Sequence, residues 1–502
     1  MISVAYRPIN VALLRRLRAL PVSLHLARGC VLAFLLWPIG CLPSAPTAAH
    51  APDSRPLSVR YQVTFEPDLH SGHTQICFDG RAPRDLRPIA GEGPALLGPV
   101  RTREGRVLPR SSHGVQLGAL AADECVHYRF ELGARGFAAS HEGEALLTSQ
   151  DAWLLRPSAP SVASLELRLP SHASASLPWG GDGARTSLPA SALELPGHVA
   201  LGVFSRRQFE ADGVQVDLAV LPGELAVGLD GLVRAITGDI RAVSSVCGHF
   251  PVSSLDVVVV PVGPEMDGEP PDPIAFGLVR RGGGASVMLL VRADASEEDV
   301  RRHWVAPHEL SHLLLPLIDR RDAWLSEGFA TYYQEVTRVR AGLEDEETAW
   351  ARIVDGCVRG AADAQDEGAL SLSQAAASMR ETGHFHRVYW SGMVFALAAD
   401  VRLRTRSRPS SLDALLCAEG PVFRQTTATM PATTALRTLD RALGAPVLAP
   451  MGEAWSARAD FPATAPLLAR LGVHVASDGS VTLDDDAPLA AVRRAIMAGP
   501  PN

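Results

Sequence analysis

Residues 308–312 read His-Glu-Leu-Ser-His, and this pentad constrains the chain more than any other feature in it. Residues four apart share one face of an α-helix, so both imidazoles can reach a single metal ion only if the segment is helical. Glu309 follows the first imidazole, which lets its carboxylate approach a water held by the metal rather than the metal itself. From there it can take a proton as the water attacks an amide carbonyl. The neighbours Leu310, Leu313, Leu314 and Leu315 make the helix mostly buried. In such a place two unpaired histidines and a carboxylate are costly.

A catalytic zinc normally has three protein ligands and one open position, so the pentad needs a partner. Glu327 supplies one. It lies fourteen residues beyond His312, counting 313 to 326, within Trp324-Leu325-Ser326-Glu327-Gly328-Phe329-Ala330. Pro316 ends the first helix, 319–322 is a polar loop, and Asp322 is placed to cap a second helix that carries Glu327 back to the first. Apolar neighbours on both sides of Glu327 count against a solvated glutamate. The expected site is one zinc ion (Zn2+) per chain, held by His308, His312 and Glu327, with Glu309 as catalytic base. Pro307 directly precedes His308, so the helix begins there or kinks there.

A chain of 502 residues exceeds one ordinary core, and two or three domains are expected. Lysine is absent and asparagine occurs only at Asn10 and Asn502, so all the basic charge is arginine, as a GC-rich coding bias produces. A net charge of −8 without a basic block argues against a nucleic-acid partner. Residues 56–206 contain short β-type runs separated by Gly, Pro, Ser and Asp. Period-two alternation in 57–65 (LSVRYQVTF), 125–132 (CVHYRFEL) and 164–169 (SLELRL) predicts an antiparallel β domain acting as a platform. From Val214 the texture changes. A strand at 214–221 and helical spacing at 224–246 precede buried-type strands at 255–262 and 286–291, the second introduced by Gly282-Gly283-Gly284. Ser296 starts a helix, with Asp299 placed as in a capping box. Residues 207–345 thus read as an α+β catalytic unit. Residues 346–471 are mainly helical, including 389–404 and 433–443, and 472–502 form a tail with a strand near Val481 and a helix at 489–497.

Residues 1–51 read as a signal peptide or N-terminal anchor. Arg7, Arg15, Arg16, Arg18 and Arg28 precede an apolar run at 30–42, too short to span a bilayer comfortably, and small residues follow, ending Ala49-His50-Ala51. Gly40-Cys41 hints at a lipoprotein cleavage site, though Pro38 stands where a leucine is usual. Removing the segment takes away five arginines and no acid, shifting the charge from −8 to −13. The expectation is an exported protein, periplasmic or secreted, that meets a membrane only through this segment. Five cysteines lie beyond it. In an oxidising compartment Cys77 with Cys125 and Cys357 with Cys417 are possible bridges, leaving Cys247 free, but the pairing stays open.

At the pentad and Glu327 the chain resembles the gluzincins, peptidases with a downstream glutamate ligand, and within them the aminopeptidase N-type and glycyl aminopeptidase-type families. WLSEGFATYY at 324–333 is very similar to their second-ligand helix, and FPVSSLDVVVVPV at 250–262 looks like the strand entering their active site. Tyr389-Trp390-Ser391-Gly392 falls where those families have Tyr-x-Lys-Gly. The likeness covers about residues 245–404. It implies an α+β fold with an N-terminal antiparallel β domain, a thermolysin-like zinc catalytic domain and a C-terminal helical region completing the active site. It also implies that Tyr389 donates a hydrogen bond to the oxyanion of the tetrahedral intermediate, with His384 and His386 as competitors for that role. The strand 286–291 would be an edge that pairs with the backbone of a peptide or protein substrate.

The chain departs from these families in its shorter ligand spacing and in lacking their amine-binding glutamate. Aligning on Gly277-Leu278 puts Ile274 at that position, and two candidate substitutes, Glu265 and Glu269, lie in a Pro- and Gly-rich loop. Aminopeptidase specificity therefore does not follow from the likeness. Ile274 and Ser391 also motivate an alternative, a non-catalytic binding or scaffolding protein that retains the fold.

Overall fold

Alternation in Leu57–Phe65 puts Val59, Tyr61, Val63 and Phe65 on one buried face, and the same rule shapes Ser71–Asp79 and Cys125–Glu131. The computed structural model describes residues 57–499 except 92, 113, 119, 134–138, 160, 182–184, 264–271, 425–426 and 477. The leader at 1–51 and the loop acids Glu265 and Glu269 lie outside the described residues. Leu57–Phe65 sits inside a six-stranded sheet, antiparallel to Ser71–Asp79 on one side and parallel to Ser161–Arg168 on the other. The sheet is therefore mixed, not purely antiparallel as expected. Alternation reports which face is buried; it carries no information on the direction of a partner a hundred residues away. Two four-stranded sheets complete this β region.

A five-stranded sheet follows, in the order Ser205–Ala211, Val214–Val220, Ser254–Val262, Ala285–Arg292, Ile274–Arg280. Ala285–Arg292 runs parallel to Ser254–Val262 and is interior, which corrects the expectation that 286–291 is the edge. The turn at Gly282-Gly283-Gly284 folds Ile274–Arg280 back antiparallel onto its outer side, and Ile274–Arg280 is the edge. A near-continuous apolar run such as SVMLLV is the mark of a strand covered on both faces.

Helices pack on this sheet and beyond it. Gly228–Ser244 buries Leu232, Ala235, Ile236 and Ile240, and Glu297–Arg302 opens with the capping box of Ser296 and Asp299. Val305–Ser311 carries the pentad, Ala323–Arg340 carries Glu327, and Phe385–Arg404 carries Tyr389. The last two cross at glycines: a Cβ on Gly328 would lie 2.2 Å from the Gly392 carbonyl carbon, and one on Gly392 would lie 1.9 Å from the Trp324 oxygen. Only glycine at both positions lets the two backbones touch.

Disulfides join Cys77 to Cys125, directly opposite one another on neighbouring strands, and Cys247 to Cys417. The second bridge replaces the expected Cys357–Cys417 pair, and Cys357 is free and buried. The reason is tertiary. Cys247 follows the helix Gly228–Ser244, whose C-terminal end lies beside Leu412–Arg424, where the Cys417 sulfur also meets the Val246 carbonyl.

Candidate metal centre and active site

The pentad helix begins at Val305, two residues before Pro307, so it does not start at the proline. Pro307 occupies the third helical position, where a backbone N–H has no intrahelical partner to lose. His312 ends the helix and begins a short 3₁₀ turn. Arg281, at the end of the edge strand, donates to the carbonyls of His312 and Leu315 at 2.5 and 2.7 Å, a cation on the negative end of the helix. Burial pulls the Arg281 pKa down to about 10.

Glu327 comes back to the pentad on Ala323–Arg340, as helical spacing requires. Asp322 stands at the N-cap position but does not cap this helix. Its carboxylate instead accepts from the Ala432 N–H at 2.8 Å, the first residue of Ala432–Leu443. The Glu327 Oε2 atom lies 3.4 Å from His308 Nε2 and 3.6 Å from His312 Nε2. Ligand atoms of all three residues fall within 4.8 Å of one another. Oε2 is buried with no hydrogen-bond partner among the described residues. A buried carboxylate oxygen without a donor is expensive, and two imidazole nitrogens and one carboxylate oxygen facing a common point are a zinc donor set. The residues fit the ion. Burial draws the His312 pKa down to about 4, which keeps the imidazole neutral, the form that ligates.

The rings are held from behind. His308 Nδ1 lies 2.7 Å from Gln334 Oε1, and His312 Nδ1 lies 3.0 Å from Ser326 Oγ. Neither partner was among the expected site residues, although Gln334 sits seven positions after Glu327 and so on the same helical face.

The Glu309 carboxylate reaches the edge strand, where its Oε2 accepts from the Val279 N–H at 2.9 Å. Gly277 makes that approach possible, since a Cβ there would lie 2.6 Å from the Glu309 side chain. Burial raises the Glu309 pKa to about 7. The Tyr389 ring stacks on His308, centroids 5.8 Å apart and planes 11° apart, and its hydroxyl interacts with the Glu327 carboxylate. Burial and that charge push the Tyr389 pKa well above its ordinary value, so the hydroxyl stays a donor. The competitors face other acids: His384 Nδ1 is 3.4 Å from Glu367, without a hydrogen bond between them, and His386 Nδ1 is 3.4 Å from Asp363, both acids on Glu346–Glu367. Ser391, where lysine was expected by analogy, is buried, and its carbonyl accepts from Trp455 Nε1 at 2.9 Å. Ile274 is 1% exposed, opposite Val291 in the core.

No protein-family profile matches the sequence, and no curated protein matches it. Solved structures match in fold. An aminopeptidase N family protein from Idiomarina loihiensis superposes with a TM-score of 0.65 over 83% of this chain and 79% of its own, at 15% identity. An M1 zinc metallopeptidase from Deinococcus radiodurans gives 0.50 over 81% and 94%, at 17% identity. Yeast LTA4 hydrolase in complex with bestatin gives 0.50 over 77% and 64%, at 13% identity. The chain shares the mixed α+β fold of these structures, with β-sheets first and a helical region last.

Proposed function

We propose that this chain is an exported zinc-dependent peptidase that hydrolyses peptide bonds, its ion held by His308, His312 and Glu327. The observation that carries the reading is the buried Glu327 Oε2, without a hydrogen-bond donor among the described residues and facing both Nε2 atoms at 3.4 and 3.6 Å. When bound, zinc supplies Lewis acidity, polarising a carbonyl and making water nucleophilic near neutral pH.

The chain's own residues divide the remaining work. Glu309 takes a proton from the attacking water. The oxygen joins the carbonyl carbon, the C–N bond breaks, and the same carboxyl returns the proton to the departing amine. A carboxyl near pKa 7 is suited to both steps. Tyr389 donates its hydroxyl to the oxygen that becomes negative. Ile274–Arg280 is the edge strand of its sheet, with its Val279 N–H already bonded to Glu309, and an extended peptide is assigned to lie along it. With Ile274 packed in the core, that position holds no carboxylate to grip a terminal amine, so the proposal stops at peptidase. Export rests on the leader pattern and on two disulfides, which suit an oxidising compartment. Among the described residues no helix is long and apolar enough to cross a membrane, and any membrane contact is assigned to the leader.

The test is a pair of measurements on the full chain. Glu309→Gln should keep zinc and lose hydrolysis of a peptide library. A variant as active as the parent, or a parent whose hydrolysis survives a strong chelator, would sink the reading.

A further inference from the structure

Behind His308 lies a chain of polar groups that the hydrolytic step does not use. His308 Nδ1 meets Gln334 Oε1 at 2.7 Å, Gln334 Nε2 donates to Glu335 Oε1 at 2.8 Å, and Arg338 Nη1 donates to Glu335 Oε2 at 3.2 Å. Glu335 and Arg338 are both 0% exposed. The guanidinium also donates to Glu344 and to the Arg302 carbonyl, each at 2.7 Å, which fixes its position.

Each link admits only one sense. Arg338 can only donate, and it meets Glu335 in an ion pair, whose two carboxylate oxygens can only accept. Gln334 must therefore turn its NH₂ group toward Glu335, because the flipped amide would set its carbonyl oxygen against the carboxylate. That leaves Oε1 facing the ring, where it can only accept. Nδ1 must carry the hydrogen, so in the neutral ring, the form that ligates, the lone pair falls on Nε2, the atom that faces Glu327 Oε2. His312 has no such device: its partner, the Ser326 hydroxyl, can donate or accept and leaves the tautomer open.

We propose that Glu335, held by Arg338 and acting through Gln334, is a positioning residue that sets His308 in its metal-binding tautomer before the ion arrives. The proposal rests on His308 being a zinc ligand. Its distinctive consequence concerns Glu335, which touches neither the imidazole nor the ligand cluster. In Glu335→Gln the new amide turns its oxygen to Arg338 and its NH₂ to Gln334. Gln334 then reverses, offers NH₂ to Nδ1, and drives the hydrogen onto Nε2.

The experiment measures zinc affinity of the full chain by competition with a chelating dye. The His308 ring-nitrogen shifts of the metal-free chain are read by NMR, and folding is checked by thermal unfolding. Glu335→Gln should lower affinity about 10- to 100-fold and move the hydrogen from Nδ1 to Nε2. If that variant does not fold, Gln334→Leu against Gln334→Glu decides. Leucine should weaken binding by a similar factor, and the carboxylate, which still accepts from Nδ1, should restore it. A folded Glu335→Gln with unchanged affinity and the parent's ring pattern overturns the proposal, as do equal affinities in the Gln334 pair. Failure of the parent itself to bind zinc would instead remove the metal reading, while the tautomer measurement would still stand.

Discussion

The helical wall and the strand wall of the candidate site differ in what they would offer a peptide. On the helical wall, Ala323–Arg340 and Phe385–Arg404 touch at Gly328 and Gly392, and that contact sets Glu327, Tyr389 and the pentad against one another. On the strand wall, Ile274–Arg280 presents backbone, and the side chain at the position of an amine-gripping carboxylate is Ile274, buried in the core. Hydrolysis needs a few atoms held rigidly, whereas recognising a chain end needs a charge in one place. On the function proposed above, the difference teaches that a scaffold can keep the first while giving up the second.

The sharpest way to break this contrast is Glu309→Gln, which leaves the helical wall intact and removes the base. It should lower kcat/KM about 10⁴-fold with zinc retained, checked by metal analysis beside steady-state kinetics. Tyr389→Phe removes one donor from the same wall. We expect a fall of about 10²-fold, mostly in kcat, and an effect confined to KM would place the phenol in substrate binding alone. Gly328→Ala tests the helix contact itself. A methyl group 2.2 Å from the Gly392 carbonyl carbon forces the helices apart, and a loss of about 1–3 kcal/mol in denaturant unfolding is expected. The smallest effect belongs to the strand wall: peptides with free and with blocked N-termini should be cleaved at rates within about tenfold of each other. Strict dependence on a free amine would show that another group on this wall has taken the carboxylate's place.

How much of this was legible beforehand follows from the range of each signal. His308, Glu309 and His312 share a helix, and Glu327 is one loop away, so local spacing was enough to expect them together. Tyr389, more than sixty residues on, was reachable only through a family likeness. The identity of the edge strand was misjudged because both Ile274–Arg280 and Ala285–Arg292 are apolar, and only the sense of the Gly282-Gly283-Gly284 turn decides which lies outside. Cys417 meets Cys247 through packing between helices remote in the chain, which no count of cysteines contains. Asp322 has the residue type and place of an N-cap, yet a competing N–H at Ala432 takes its carboxylate. Gln334, Ser326 and Arg281 contact the candidate ligands His308 and His312, and their side chains have no motif of their own.

The most direct test of the central claim is the zinc content of the purified, metal-replete full chain beside that of Glu327→Ala. The account predicts about one ion per chain in the parent and a far lower content in the variant. A parent without zinc, or a variant that keeps the full complement, would contradict it.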